Sequence, residues 1–321
     1  MPTEAAGQGH RSAYVSSAFA DRLFLWLTAG AGWIVFAVLV GTAISMAYGG
    51  REAFQTFGWN FIVSSDWDAV NHKFGALIPI YGTLLSSAIA LLIAVPISFG
   101  IATFLAEVAP PWLRGPIGMA IELLAGIPSI IYGMWGLFIF APFMATTVEP
   151  WLTENLGPWP IIGPLFVGPP LGIGMLTAAI ILGIMTIPFI SSVMRDVFQA
   201  VPPSLRESAF AMGATPWEVV RKVTLPHTRS AVVGAIFLGL GRALGETMAV
   251  TFVLGNAHDF SASLLMPGNS IAATIANEFT EADSPIYLSS LVALGFLLFV
   301  VTFIVLAIAK IMLSRVERRM G

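Results

Sequence analysis

SLRESAFAMGATPWEVVRKVTLP, Ser204 to Pro226, is a polar stretch in a chain otherwise made of long apolar runs. Ser204 precedes Glu207 by three residues, and Thr215 precedes Glu218 by three. Each pair has the spacing of a capping box, in which side chains satisfy the free N–H groups of a helix start. Pro216 follows Thr215 directly, where a proline at the first helical position loses nothing. The pattern predicts two short helices, broken at Gly213-Ala214-Thr215, between two membrane spans.

The 321 residues are 57% hydrophobic and 10% charged, whereas a soluble domain carries about 25% charge. The chain therefore reads as an all-α integral membrane protein. Leu23 to Tyr48 has no charge and exceeds the roughly 20 residues that cross a bilayer as a helix. Phe74 to Ala106 is likewise uncharged, with Pro79 and Pro96 in it, and predicts a second span kinked near Pro96. A third span is expected from about Gly115 to Met144, with Glu122 near its start. Prolines crowd 146–170, which predicts a loop or re-entrant cover. Spans over Leu171–Val193, Ser230–Gly255 and Ile286–Ala309 make six transmembrane helices.

The resulting division is a disordered tail at 1–21, a first span at 22–48 and an external loop at 49–73. A core of five spans follows at 74–313, with a cytoplasmic loop at 194–229, and then a tail at 314–321. Trp59 and Trp67 suit an interfacial aromatic belt. Of the 15 Lys and Arg residues, twelve fall on the side of the termini and only Arg51 and Lys73 on the other. This asymmetry places both termini, and the Ser204–Pro226 loop, in the cytoplasm.

There is no cysteine, and the four histidines are scattered without ligand spacing, so neither a metal nor a cofactor is expected. A net charge of -3 argues against nucleic acid as a partner. No G-x-x-x-x-G-K-[ST] occurs, so any ATP must be hydrolysed by another chain.

Glu122, Arg242 and Glu246 are the ionisable residues expected inside spans. A charge near the bilayer middle needs a partner or a wet path. Arg242 and Glu246 are four apart, which on one helix puts them on the same face. Gly241 and Gly245 would allow another helix or an anion to approach. Either Arg242 pairs with Glu246 or Glu122 and locks two helices, or it gives positive potential to an anion pathway while a carboxylate prevents trapping.

Glu207, Ala209, Gly213 and Val223-Thr224-Leu225-Pro226 resemble the EAA loop of ABC importer permeases, with Ser208 and Val223 where that pattern has Ala and Ile. Phe74–Leu84, Ile127–Phe138 and Leu240–Thr251 further resemble one of the two permease subunits of the bacterial high-affinity phosphate importer. The resemblance implies a type I ABC importer permease fold with a cytoplasmic coupling helix, in the bacterial inner membrane. It implies four kinds of partner: a homologous permease subunit, a dimer of ATPase subunits, an extracytoplasmic phosphate-binding protein, and phosphate as the transported substrate. It assigns Glu207, Ala209, Gly213, Thr215, Leu225 and Pro226 to ATPase coupling, and leaves Arg242, Glu246 and Glu122 for the translocation pathway. A permease for another oxyanion fits the same residues. An ion-coupled anion transporter would account for the buried charges but not for the loop.

Overall fold

A computed structural model describes the backbone of residues 5–320 and the side chains of residues 19–312. Among them, six helices are long and apolar enough to cross a membrane: Phe19–Gly49, Leu77–Val108, Ser129–Asn155, Met175–Gln199, Pro216–Leu244 and Pro285–Met312. The chain divides into two units, Met1–Gly49 and Gly50–Gly321.

The first unit is helix α1 (Ala5–Gly49). The segment expected as a disordered tail is thus helical from Ala5 onward. No proline lies between Pro2 and Pro79, and lengthening a helix that is already nucleated costs little.

The second unit opens with α2 (Arg51–Phe57), α3 (Asn60–Val63) and an antiparallel pair, β1 (Trp67–Asp68) and β2 (Lys73–Phe74). Helix α4 (Leu77–Thr103) follows, then α5 (Pro111–Ala125). Helices α6 (Ser129–Trp135), α7 (Ala141–Phe143) and α8 (Glu149–Asn155) run on as one span. Next come α9 (Met175–Gln199), α10 (Pro203–Ala211), α11 (Pro216–Val219) and α12 (Leu225–Leu244). The unit ends with α13 (Met248–Leu254), α14 (Ile271–Glu278) and α15 (Pro285–Met320). Helix α15 continues through the expected tail at 314–321 as far as Met320.

Helix α9 is the axis of this unit. Its most apolar window is 61% buried, against 22–28% for the other four spans of the unit. Small residues allow the close approach. Ala90 and Ala94 of α4 are fully buried, and a Cβ on Gly183 of α9 would stand 3.2 Å from the Ala90 carbonyl oxygen. Ser98 of α4 donates to the Ile187 carbonyl of α9 at 3.1 Å. In lipid such packing replaces the hydrophobic drive that water supplies elsewhere. One apolar cluster joins Ala178, Ile181 and Leu182 of α9 to Ala249 and Val253 of α13; a second joins Ile190, Met194 and Phe198 to Val232 and Ala235 of α12.

Four prolines are each preceded by a widened, π-helical turn: Phe104–Val108, Gly136–Phe140, Met144–Val148 and Val220–Thr224. In each, the residue just before the proline donates to the carbonyl five residues back: Ala109 to Phe104, Ala141 to Gly136, Glu149 to Met144, and Leu225 to Val220. A proline ring clashes with the carbonyl four residues back and disfavours α geometry in its predecessor. The wide turn relieves both conflicts, so the chain stays helical through Pro142, Pro150 and Pro226. This corrects three expectations. Helix persists to Asn155 instead of giving way at 146; the polar loop runs directly into its span from Pro216; and Gly126-Ile127-Pro128 splits the expected third span, leaving α5 as a separate helix.

Glu278 organises the end of the unit that carries the 49–73 segment. Its carboxylate accepts from Trp67 Nε1 at 2.5 Å and Tyr287 Oη at 2.7 Å, and lies 2.8 Å from His258 Nε2. The Trp67 ring stacks on His258 with centroids 5.2 Å apart, so Trp67 is a structural donor rather than part of a lipid belt. Burial pushes the Glu278 carboxyl up, but the hydrogen bonds from His258 and Tyr287, the His258 charge and the Trp67 bond bring it below the usual glutamate value.

A group depressed in the folded state contributes stability above its unfolded pKa and loses it as pH falls through the folded value. The detergent-solubilised protein is therefore expected to lose melting temperature as pH drops below about 4.3. Glu278→Gln, less stable at neutral pH, should show a flatter profile in that window; an equally steep profile would assign the acid sensitivity elsewhere. A second test concerns α4. A Cβ on Gly82 would strike the Asn269 carbonyl oxygen, whereas Gly100 has nothing within 4 Å. Gly82→Ala should cost about 1–3 kcal/mol by overpacking, and Gly100→Ala should be neutral or stabilising by up to about 1 kcal/mol, both read by thermal unfolding.

Candidate coupling loop and membrane charges

Helix α10 begins at Pro203, whose fixed φ suits the first helical position. This places Ser204 inside the helix, so the expected Ser204–Glu207 capping box does not form; instead the Ser204 carbonyl accepts from Ser208 Oγ at 2.7 Å. Gly213 takes φ +85, a left-handed conformation that glycine adopts without a Cβ penalty. It ends the helix after the Ala214 N–H returns to the Ala209 carbonyl at 3.1 Å. The second box is present as expected: Thr215 Oγ1 accepts from the Glu218 N–H at 3.4 Å, and Glu218 Oε2 from the Thr215 N–H at 3.0 Å. Beyond it Leu225 joins the apolar cluster around Phe198, and Pro226 opens α12.

Of the residues assigned to coupling, Ala209 is buried and holds α10 to the body, while Glu207 and Gly213 face outward. Around them Leu205, Phe210, Met212 and Trp217 are all exposed, Met212 at 83%. Charged and apolar side chains interleaved on a short protruding helix pair suit a protein partner.

Arg242 lies in the last turn of α12. Its guanidinium sits over the Phe189 ring, 5.9 Å from the centroid, and its buried Nε has no hydrogen-bond partner. Neither expected ion pair forms. The helix breaks after Leu244, so Arg242 and Glu246 do not share one continuous helix, and Glu246 Oε1 accepts from the Ala249 N–H at 3.2 Å as a cap for α13. Glu122, expected within a span, lies on α5, where it pairs with Arg195 Nη2 at 2.8 Å, and Arg195 also holds Asp196 at 2.9 Å. The glycine and proline at 126–128 cause that displacement, since the residue before a proline is pushed out of helical geometry. The anion-binding candidate thus reduces to Arg242, with Glu246 nearby in sequence and Glu122 removed to the Arg195 cluster.

Glu107 gave no strong signal, because the charge-free run ends at Ala106 and the next residues read as a loop. The wide turn before Ala109-Pro110 carries the helix on to Val108, and the Glu107 side chain is only 4% exposed. Glutamate shortly before a proline that follows an apolar run is the cue that was available.

Residues 94–318 match the family model for the binding-protein-dependent transport system inner membrane component. The phosphate transport system permease protein PstC of Xylella fastidiosa (strain 9a5c) is 57% identical, with 100% of this chain and 98% of that protein covered. The protein of the same name from Mesorhizobium japonicum is 57% identical over 95% and 93%. PstC 1 of Mycobacterium tuberculosis (strain ATCC 25618 / H37Rv) is 41% identical over 82% and 79%. Among solved structures, a chain of the bacterial alginate ABC transporter in complex with an alginate pentasaccharide-bound periplasmic protein is 19% identical, with a TM-score of 0.57 over 91% of this chain and 98% of that one. A chain of the inward-facing MetNI methionine ABC transporter is 20% identical, with a TM-score of 0.52 over 72% and 93%. The structural likeness identifies the type I importer permease fold. The chain belongs to the binding-protein-dependent transport system inner membrane component family and is a multi-pass permease subunit of an ABC importer.

Proposed function

We propose that this chain carries inorganic phosphate inward as one of two homologous permease subunits, driven by a separate ATPase dimer and supplied by an extracytoplasmic phosphate-binding protein. The substrate reading rests on the names of the relatives and on one observation in the chain itself. Arg242 is a cation with a buried, unpartnered Nε and, among the described residues, no carboxylate in ion-pair range. An unpaired guanidinium in a low-dielectric setting draws an anion, and its fork matches phosphate oxygens. Glu246 follows in the break between α12 and α13, where its negative charge opposes permanent capture.

The coupling reading rests on the loop. The left-handed break at Gly213 and the capped turn at Thr215 hold Glu207 outward beside an apolar patch, with Ala209 and Leu225 anchoring the loop to the body and Pro226 in the first turn of α12. Closure of the ATPase dimer pulls this loop and its counterpart on the second permease together, and the pathway opens outward. The excess of Lys and Arg on the terminal side orients both termini and the loop toward the cytoplasm. No phosphate-cradling motif for ATP occurs in the chain, which is in keeping with hydrolysis on the partner subunits.

In the assembled complex in liposomes, Arg242→Gln is expected to lower phosphate uptake about 10- to 100-fold, the value of a charge-assisted contact, while the subunits still co-purify. Full uptake would remove Arg242 from the pathway. Gly213→Pro replaces φ +85 with an angle fixed near −65°. It should leave membrane insertion intact but abolish import or release the ATPase; import coupled normally to hydrolysis would refute the coupling role of this loop.

A further inference from the structure

We propose that Glu107 is the positioning residue that passes motion of α10 to the membrane helices. Its side chain, on the wide turn that ends α4, is 4% exposed. Oε1 accepts from Thr224 Oγ1, on the wide turn that leads into α12, at 2.9 Å. The same oxygen faces Arg206 Nε at 3.5 Å, and Arg206, on α10, donates through Nη2 to the Phe198 carbonyl at the end of α9. One carboxylate and one guanidinium therefore tie together α4, α9, α10 and the entry to α12.

Burial makes this link directional. A carboxylate withdrawn from water must keep its cation and its hydrogen-bond donors, so α10 cannot draw away without leaving Glu107 unpaired. The exposed Lys222–Glu218 pair on the same loop, 69% and 41% exposed, is screened by solvent and cannot act this way. The link also has slack. A charge-assisted hydrogen bond closes at about 2.7–2.9 Å, Arg206 Nε stands 3.5 Å from Glu107 Oε1 with no hydrogen-bond partner, and a shift of α10 by roughly half an ångström toward Glu107 makes that bond. Both Glu107 and Thr224 stand on π-helical turns, which occur often at functional sites.

This inference rests on the reading of Ser204–Pro226 as the ATPase contact, and the test separates the two. The full complex is reconstituted in liposomes with Glu107→Gln, Arg206→Gln, the double variant, and Thr224→Val as a milder change that leaves the ion pair in place. The readout is phosphate imported per ATP hydrolysed. Each single variant is expected to lower that ratio about 2- to 30-fold, the span of measured couplings along such networks. The double variant should lose no more than the worse single one, and Arg206→Lys should recover part of the loss. Unchanged ratios, additive losses, or loss of the ATPase from otherwise folded variants would overturn the transmitting role. Absence of any ATPase from the wild-type assembly would instead overturn the reading of the loop.

Discussion

In a bilayer no water reaches a backbone carbonyl that a proline has orphaned, so the chain must pair it or move it aside. This protein carries 21 prolines, and its architecture depends on how their cost is met. At Pro110, Pro142, Pro150 and Pro226 a wide turn hands the preceding N–H to the carbonyl five residues back. The helix survives three of these sites. Survival at Pro226 makes the loop beginning at Pro216 mechanically continuous with a membrane span, and survival at Pro142 and Pro150 carries the third span on to Asn155. Where glycine and proline stand together at 126–128 the helix breaks, and α5 becomes a separate element carrying Glu122 toward Arg195.

The same economy governs the charges. Arg195 pairs with both Glu122 and Asp196 at one end of α9, and Glu107 meets Arg206 and Thr224 near the same end. At the opposite end Glu278 gathers Trp67, His258 and Tyr287. Arg242 stands apart from all three groups, over an aromatic ring and without a carboxylate, and that contrast singles it out. Among the described residues, Glu107, Glu122 and Glu278 each meet a basic side chain, whereas Arg242, the cation proposed for substrate, meets no carboxylate.

Much of this could be read from the chain alone, because hydropathy over twenty residues and charge asymmetry are strong, additive signals. The number of spans was legible, as were the Gly213 break and the Thr215 cap, whose residue types permit few other conformations. What escaped depended on cooperation between neighbours. Pro203 starts α10 one residue before Ser204 and so displaces the first capping box. The π-helical turns cannot be seen in composition, so Pro150 looked like a helix breaker and Glu107 like a loop residue. The pairing of Glu122 with Arg195, and of Trp67 with Glu278, joins residues far apart in sequence, and periodicity carries no information about such contacts.

The proposed role of the Ser204–Pro226 loop is to couple this chain to an ATPase that drives phosphate through it. The most direct measurement is ATP hydrolysis and phosphate accumulation in liposomes holding this chain, a partner permease and the ATPase, with and without phosphate-loaded binding protein. The expected result is hydrolysis stimulated by the loaded binding protein and phosphate accumulated only when ATP is supplied. Uptake that proceeds without ATP under an ion gradient, or an assembly that retains no ATPase, would contradict it.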